Sequence, residues 1–200
     1  MAAKQTRGAE TTRRILDAAL AVHRKGGHAG FTVHAVAAES GASLGSLYHH
    51  FKSIDGVAAE LYAECMAHLL DELAAALARS RTAHTGVVAF VRAYLEFTQR
   101  HPDEARFIHG APSGGFLSSH AARIAEAKAA RMEPILAWLR KHVAAGEIAD
   151  VPEPLFEMLV VGPVAELTRR WLAGAPGLDL AEAARVLPEP IWRSVRRQGR

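Results

Sequence analysis

Apolar residues recur every three to four positions along almost the whole chain, the period of an amphipathic helix. No alternating run is long enough to build a sheet. Ile15, Leu16, Ala19, Leu20 and Val22 set one face of a helix predicted over 10–24, stopped by Gly26 and Gly27. A shorter helix starts after Thr32 and ends at Ser40 and Gly41, with Val33, Val36 and Ala37 turned inward. The next starts after Ser43, another good cap, and runs to about Phe51. Two short helices joined by the glycine-containing turn 40–43 form a helix-turn-helix. A long helix follows over about 55–78, where Val57, Leu61, Cys65, Leu69, Leu73 and Leu77 make one stripe. It is long enough to link two domains.

The polar segment 80–86 closes this block. Helices are then predicted over 87–100, with Val91, Tyr94, Leu95 and Thr98 at helical spacing, and over 103–109. The stretch 110–119, rich in Gly, Ser and Pro, reads as a loop. A helix over 120–145 should bend near Pro134, and one over 152–172 should kink at Gly162 and Pro163. Asp179 and Glu182 form a capping box for a last helix, which Pro188 and Pro190 bend or restart near Glu189. The expected fold is all-α: an N-terminal three-helix unit over 1–55, then a larger helical domain over 56–200. The chain has no internal repeat.

Charge sharpens this division. The formal net charge is +3, yet residues 1–53 alone carry seven Lys or Arg against Glu10, Asp17 and Glu39. A basic head on a near-neutral body suits a phosphate-bearing partner. The single cysteine, Cys65, falls in the apolar stripe and fits a reducing, cytoplasmic setting. No run approaches the ~20 apolar residues of a membrane span, and no signal peptide is evident.

The third helix is too short to hold alone and must be pinned by packing. Leu47 and Phe51, four apart, face the first two helices, with Leu44 and Tyr48 in the adjacent row. Ser43, Gly45, Ser46 and His49 are left on the outer side, where small polar residues let a helix approach a major groove closely. The segments 11–27 and 31–64 resemble the DNA-binding region of TetR-type repressors. The specific signature is Ser43-Leu-Gly-Ser-Leu-Tyr-His-His-Phe51 following Val36-Ala37 and Ser40-Gly41. The resemblance implies that Tyr48 bonds a backbone phosphate and that Thr32 does so near the second helix. It implies base contacts from Ser46 and His34, groove or phosphate contact from His50, and added charge from Lys52; His49, on the outer side, is a further candidate DNA contact. Lys4, Arg7 and Arg13 form a basic arm. Two departures stand out: the lysine the family carries at position 54 is Ile54 here, with Lys52 nearby, and His23 stands where a large aromatic is usual.

The resemblance also implies a partner set: a palindromic double-stranded operator, a second copy of the chain and a small-molecule effector, with no cofactor. Phe90, Tyr94, Phe97, Thr98, Phe107, His109, Phe116, Trp138 and Met158 are candidate effector contacts, and 110–119 a candidate entrance. Leu155, Leu159, Leu167, Trp171, Val186, Ile191, Trp192 and Val195 are candidate dimer contacts on the last two long helices. No metalloprotease, nucleophile-elbow, P-loop or dinucleotide motif occurs, so no enzyme is expected. His101, Asp103 and His109 lie close in sequence but match no recognised metal spacing, and no metal is expected.

Overall fold

The structure, a computed structural model, describes residues 2–110 and 115–197, and side chains from residue 8 onward. The described residues form eleven helices and no strand. The candidate arm residues Lys4 and Arg7 lie outside the described side chains.

The chain packs as two compact units. One comprises Met1–Cys65 with Gly110–Glu126, the other Met66–His109 with Ala127–Arg200. In the first, α1 (Ala2–Gly30) loses helical geometry at Gly27, where the glycine pair was expected to stop it. It begins a full two turns before the predicted start, through a run of Ala, Lys, Gln and Arg that favours helix without any capping signal. Ile15, Leu16, Ala19 and Val22 are buried. α2 (Val33–Ser40) and α3 (Leu44–Phe51) follow, with α1 on α2 and α2 on α3. Gly41 sits at φ +63, the left-handed turn conformation that glycine adopts without penalty. The Lys25 ammonium bonds both carboxylate oxygens of Glu39 at 2.8 Å, tying the end of α1 to α2. His23, in the place of the usual aromatic, is half-buried with its ring edge-on to Phe31.

α4 (Ile54–Ala78) contributes its first half to this unit and its second half to the other. Every member of its predicted stripe is buried. Because α4 is unbroken, the packing boundary falls inside a helix rather than in a linker. α7 (Phe116–Ser119) occupies part of the stretch expected to be loop. Phe116 anchors it, buried edge-on against Tyr62, whose phenol is pushed above its ordinary pKa by burial. Residues 111–114 of that stretch lie outside the described ones. Arg123 of α8 (Ala121–Ala144) pairs with Glu60 in the same unit.

The second unit contains α5 (Ala83–Arg100), α6 (Pro102–Gly110), α9 (Glu153–Leu172), α10 (Leu180–Val186) and α11 (Pro188–Val195). α5 packs against α9, α10 and α11. It starts one turn earlier than the apolar spacing suggested, because Thr82 and Thr85 form a reciprocal capping box within the polar segment. Thr98 and Thr168, both fully buried, join α5 to α9 through hydroxyls 3.4 Å apart. Pro134 and Pro163 lie inside α8 and α9, whereas Pro188 restarts the last helix.

The loop after α8 is stitched to two remote segments. The Glu147 carboxylate accepts the Ala83 amide at 3.1 Å and lies 3.3 Å from His142 Nδ1. These bonds hold its carboxyl below the usual range. Its carbonyl accepts the Arg197 amide, the Ala149 amide donates to the Val195 carbonyl, and Ile148 bridges Arg196 antiparallel.

Candidate nucleic-acid interface and effector cavity

α3 is built as expected from its sequence. The Ser43 hydroxyl accepts the Ser46 amide at 3.1 Å, closing the first turn, and Thr32 does the same for α2 through the Ala35 amide at 3.2 Å. Leu47 and Phe51 are buried and pin the helix to its unit. The outward face carries Leu44, Gly45, Tyr48 and His49, all exposed, with Ser46 and His50 half-buried beside them. Tyr48 is 50% exposed, so its hydroxyl is available to an external acceptor. Leu44 is exposed too, rather than packed in a row against the other helices.

Gly45 is informative. Glycine inside a helix costs about 1 kcal/mol relative to alanine. A Cβ there would meet only Ser43 Oγ at 3.9 Å, so nothing among the described residues demands glycine. A groove pressed against this face would. Gly56 is the opposite case. A Cβ at that position would lie 1.9 Å from the Phe51 carbonyl oxygen, so the close junction of α3 and α4 requires glycine. The Ser53 hydroxyl accepts the Gly56 amide at 2.9 Å and starts α4. Between them Lys52 adopts φ +67, a strained conformation for a side-chain-bearing residue, and its ammonium reaches the His49 carbonyl at 3.1 Å. His34 is exposed on α2. Arg13 is exposed, 3.3 Å from Asp17 and 3.9 Å from Glu64.

In the second unit, a cavity of about 230 Å³ lies among α4, α5, α8 and α9. Leu69, Leu70, Leu73, Leu77, Phe90, Met132, Ile135, Leu139, Phe156 and Val160 give it an apolar wall, with Lys128, Glu153 and Glu157 as charged members. Of the candidate effector contacts, Phe90, Tyr94 and Trp138 line it. Trp138 Nε1 is buried without a hydrogen-bond partner. Phe97, Thr98 and Phe107 are buried outside the lining, and Phe116 belongs to the other unit. His109 lies 3.4 Å from the Tyr94 hydroxyl. Burial first, and the Arg169 charge second, push its pKa below the ordinary value. Met158, another candidate contact, is instead 69% exposed.

Met158 shares an outward strip of α9 with Leu155 and Leu159, at helical i, i+3, i+4 spacing. Val186 is exposed on α10, while Leu167, Trp171 and Trp192 are half-buried. Ile191 and Val195, expected at a subunit interface, are buried within the unit and fill its own core, because α11 turns its apolar edge toward α5 and α9. The leucine stripe of α4 was legible as core. That it also walls a cavity was not, since the other walls come from distant segments. No helix among the described residues is long and apolar enough to cross a membrane.

Comparison with known proteins agrees with this architecture. Residues 15–61 match the model of the bacterial regulatory proteins of the tetR family. A search of the curated proteins finds none that matches. Among solved structures, a TetR family transcription regulator from Marinobacter aquaeolei VT8 is 18% identical. It aligns over 97% of this chain and 100% of its own with a TM-score of 0.77. The transcriptional regulator FadR from Bacillus subtilis, in complex with stearoyl-CoA, is 18% identical over 90% of this chain and 96% of its own, with a TM-score of 0.72. Superantigen PfiT, 22% identical over 94% and 97%, has a TM-score of 0.70, so the fold by itself does not fix what its bearer does. Residues 15–61 thus match the tetR family model, and the fold of the whole chain is similar to that of these regulators.

Proposed function

We propose that this protein is a homodimeric, sequence-specific DNA-binding repressor, released from a palindromic operator when a small apolar or amphipathic ligand fills the cavity. Residues 1–55 bind DNA, and residues 56–200 sense the ligand and dimerise. It works in the cytoplasm and catalyses nothing. The observation that carries this reading is the outward face of α3. A helix pinned by Leu47 and Phe51 presents Gly45, Tyr48 and His49 to solvent, with a glycine that no described neighbour requires. Tyr48, Thr32 and Lys52 contact phosphates, Ser46 and His34 read bases, and Arg13 adds charge from α1.

Two copies meet through the strip of Leu155, Met158 and Leu159 together with Val186, the large exposed apolar residues of α9 and α10. The ligand lies among the leucines of α4, beside Trp138. Its grip on one arrangement of α4 must exceed its grip on the other, because only differential affinity shifts a two-state equilibrium.

Fluorescence anisotropy with DNA from upstream of the protein's own gene tests the first half. Tyr48→Ala weakens binding across all sequences, whereas Ser46→Ala alters preference at one base position. Unchanged binding in both removes α3 from the interface. Stearoyl-CoA and free stearate are the first probes for the second half. The expected result is thermal stabilisation together with loss of operator affinity. Stabilisation with operator affinity untouched defeats the switch.

A further inference from the structure

We propose that His68, Glu72 and His101 bind one divalent transition-metal ion, with Glu104 as the residue that positions both imidazoles. The four side chains come from three helix segments of the second unit. His68 and Glu72 lie one turn apart on α4, His101 caps the end of α5, and Glu104 lies in the first turn of α6.

One carboxylate addresses both rings. Glu104 Oε2 is 2.9 Å from His68 Nδ1, and its Oε1 is 3.5 Å from His101 Nδ1. A carboxylate only accepts, so His68 Nδ1 carries the hydrogen and, in the neutral ring, Nε2 keeps its lone pair; the looser approach of Oε1 turns His101 Nδ1 the same way, leaving its Nε2 toward Glu72. Both Nε2 atoms then converge on one oxygen: Glu72 Oε1 lies 3.5 Å from that of His68 and 3.6 Å from that of His101. These separations are too long for good hydrogen bonds. They suit donors that share an ion, since bonds of about 2.0–2.1 Å in a tetrahedron set neighbouring ligands roughly 3.3 Å apart.

Simple ion pairing leaves a loose end here. His101 Nε2 is buried and has no hydrogen-bond partner. The other Glu72 oxygen accepts from Arg100, which fixes the carboxylate with Oε1 toward the rings. Against that one guanidinium stand two carboxylates, so the site keeps a net attraction for a cation. Phe97 closes one side, its ring 5.2 Å from His68 and 5.1 Å from His101. Histidines whose second nitrogen is held by a carboxylate are the usual companions of a bound metal. Two imidazoles and one carboxylate select Zn²⁺, Co²⁺, Ni²⁺ or Cu²⁺ over Mg²⁺ or Ca²⁺, and three protein ligands leave a position for water.

The test uses untagged, chelator-treated, full-length protein titrated with Co²⁺ and Zn²⁺. One equivalent should bind per chain, with a Co²⁺ ligand-field absorption, proton release and a raised melting temperature. His68→Asn and His101→Asn keep a donor where Nδ1 stood and lose Nε2. Each should abolish stoichiometric binding while the metal-free melt stays unchanged. Glu104→Gln should keep one equivalent, weaken it about 10- to 100-fold and shift the Co²⁺ spectrum. His84→Gln, which breaks the separate pairing with Glu189, should change nothing. Failure of the wild type to take up one equivalent overturns the proposal, even if a variant misfolds. Uptake undiminished in both Asn variants also overturns it.

Discussion

Helices α3 and α9 both leave large apolar side chains in solvent, and they do so differently. On α3, Leu44 and Tyr48 are exposed among Gly45, Ser46 and His49. On α9, Leu155, Met158 and Leu159 form an unbroken aliphatic strip, with Met158 the most exposed at 69%. The first surface mixes small, polar and aromatic groups and suits a hydrated, charged groove. The second offers little but dispersion and the release of water, and suits a like surface. Exposure alone does not identify a partner. The neighbours of the exposed group do.

Breaking the first surface at its base should have the largest effect. In Gly56→Ala the new methyl would overlap the Phe51 carbonyl, so α3 and α4 cannot both keep their places. We expect a loss of roughly 3 kcal/mol or more and no DNA retention, read by calorimetry and anisotropy. Next comes the aliphatic strip. Leu159→Glu should cost about 2–4 kcal/mol of association and give monomers by sedimentation, with the helical circular dichroism signal intact. A dimer that survives this change places the interface elsewhere.

Gly45→Ala separates stability from recognition. It should stabilise the protein by about 0.5–1 kcal/mol, since the site is sterically open, while weakening DNA binding. Stabilisation without weaker binding would mean that nothing approaches α3 closely. The smallest effect concerns the cavity side. His109 has a lowered pKa in the folded protein, so its contribution to stability is complete above the ordinary value of ~6.5. It is lost as pH falls from there through the lowered value, because the unfolded chain takes the proton first. His109→Gln should therefore reduce the drop in melting temperature between about pH 7.5 and about pH 5.5. An identical drop in the variant assigns the pH dependence to other groups.

How much of this was legible in the sequence depended on distance along the chain. α3 could be read nearly residue by residue, because its cap at Ser43 and its anchors at Leu47 and Phe51 are local. The stripe of α4 was readable for the same reason. The start of α5 was missed because a capping box of two threonines lies in a segment that looks merely polar. Ile191 and Val195 read as interface because amphipathicity shows that a face is buried, not by what. The His68, Glu72, His101 and Glu104 cluster joins residues some thirty positions apart, and no spacing rule spans that gap.

The stitch around Glu147 carries one more consequence. The amides of Ala83, Ala149 and Arg197 all find their acceptors through it, although they lie in three distant stretches. Their exchange with deuterated solvent should therefore be coupled: opening the bridge at Ile148 and Arg196 unprotects all three together, as a single cooperative unit. The Arg197 amide would then report, by mass, on the integrity of a helix that begins more than a hundred residues earlier.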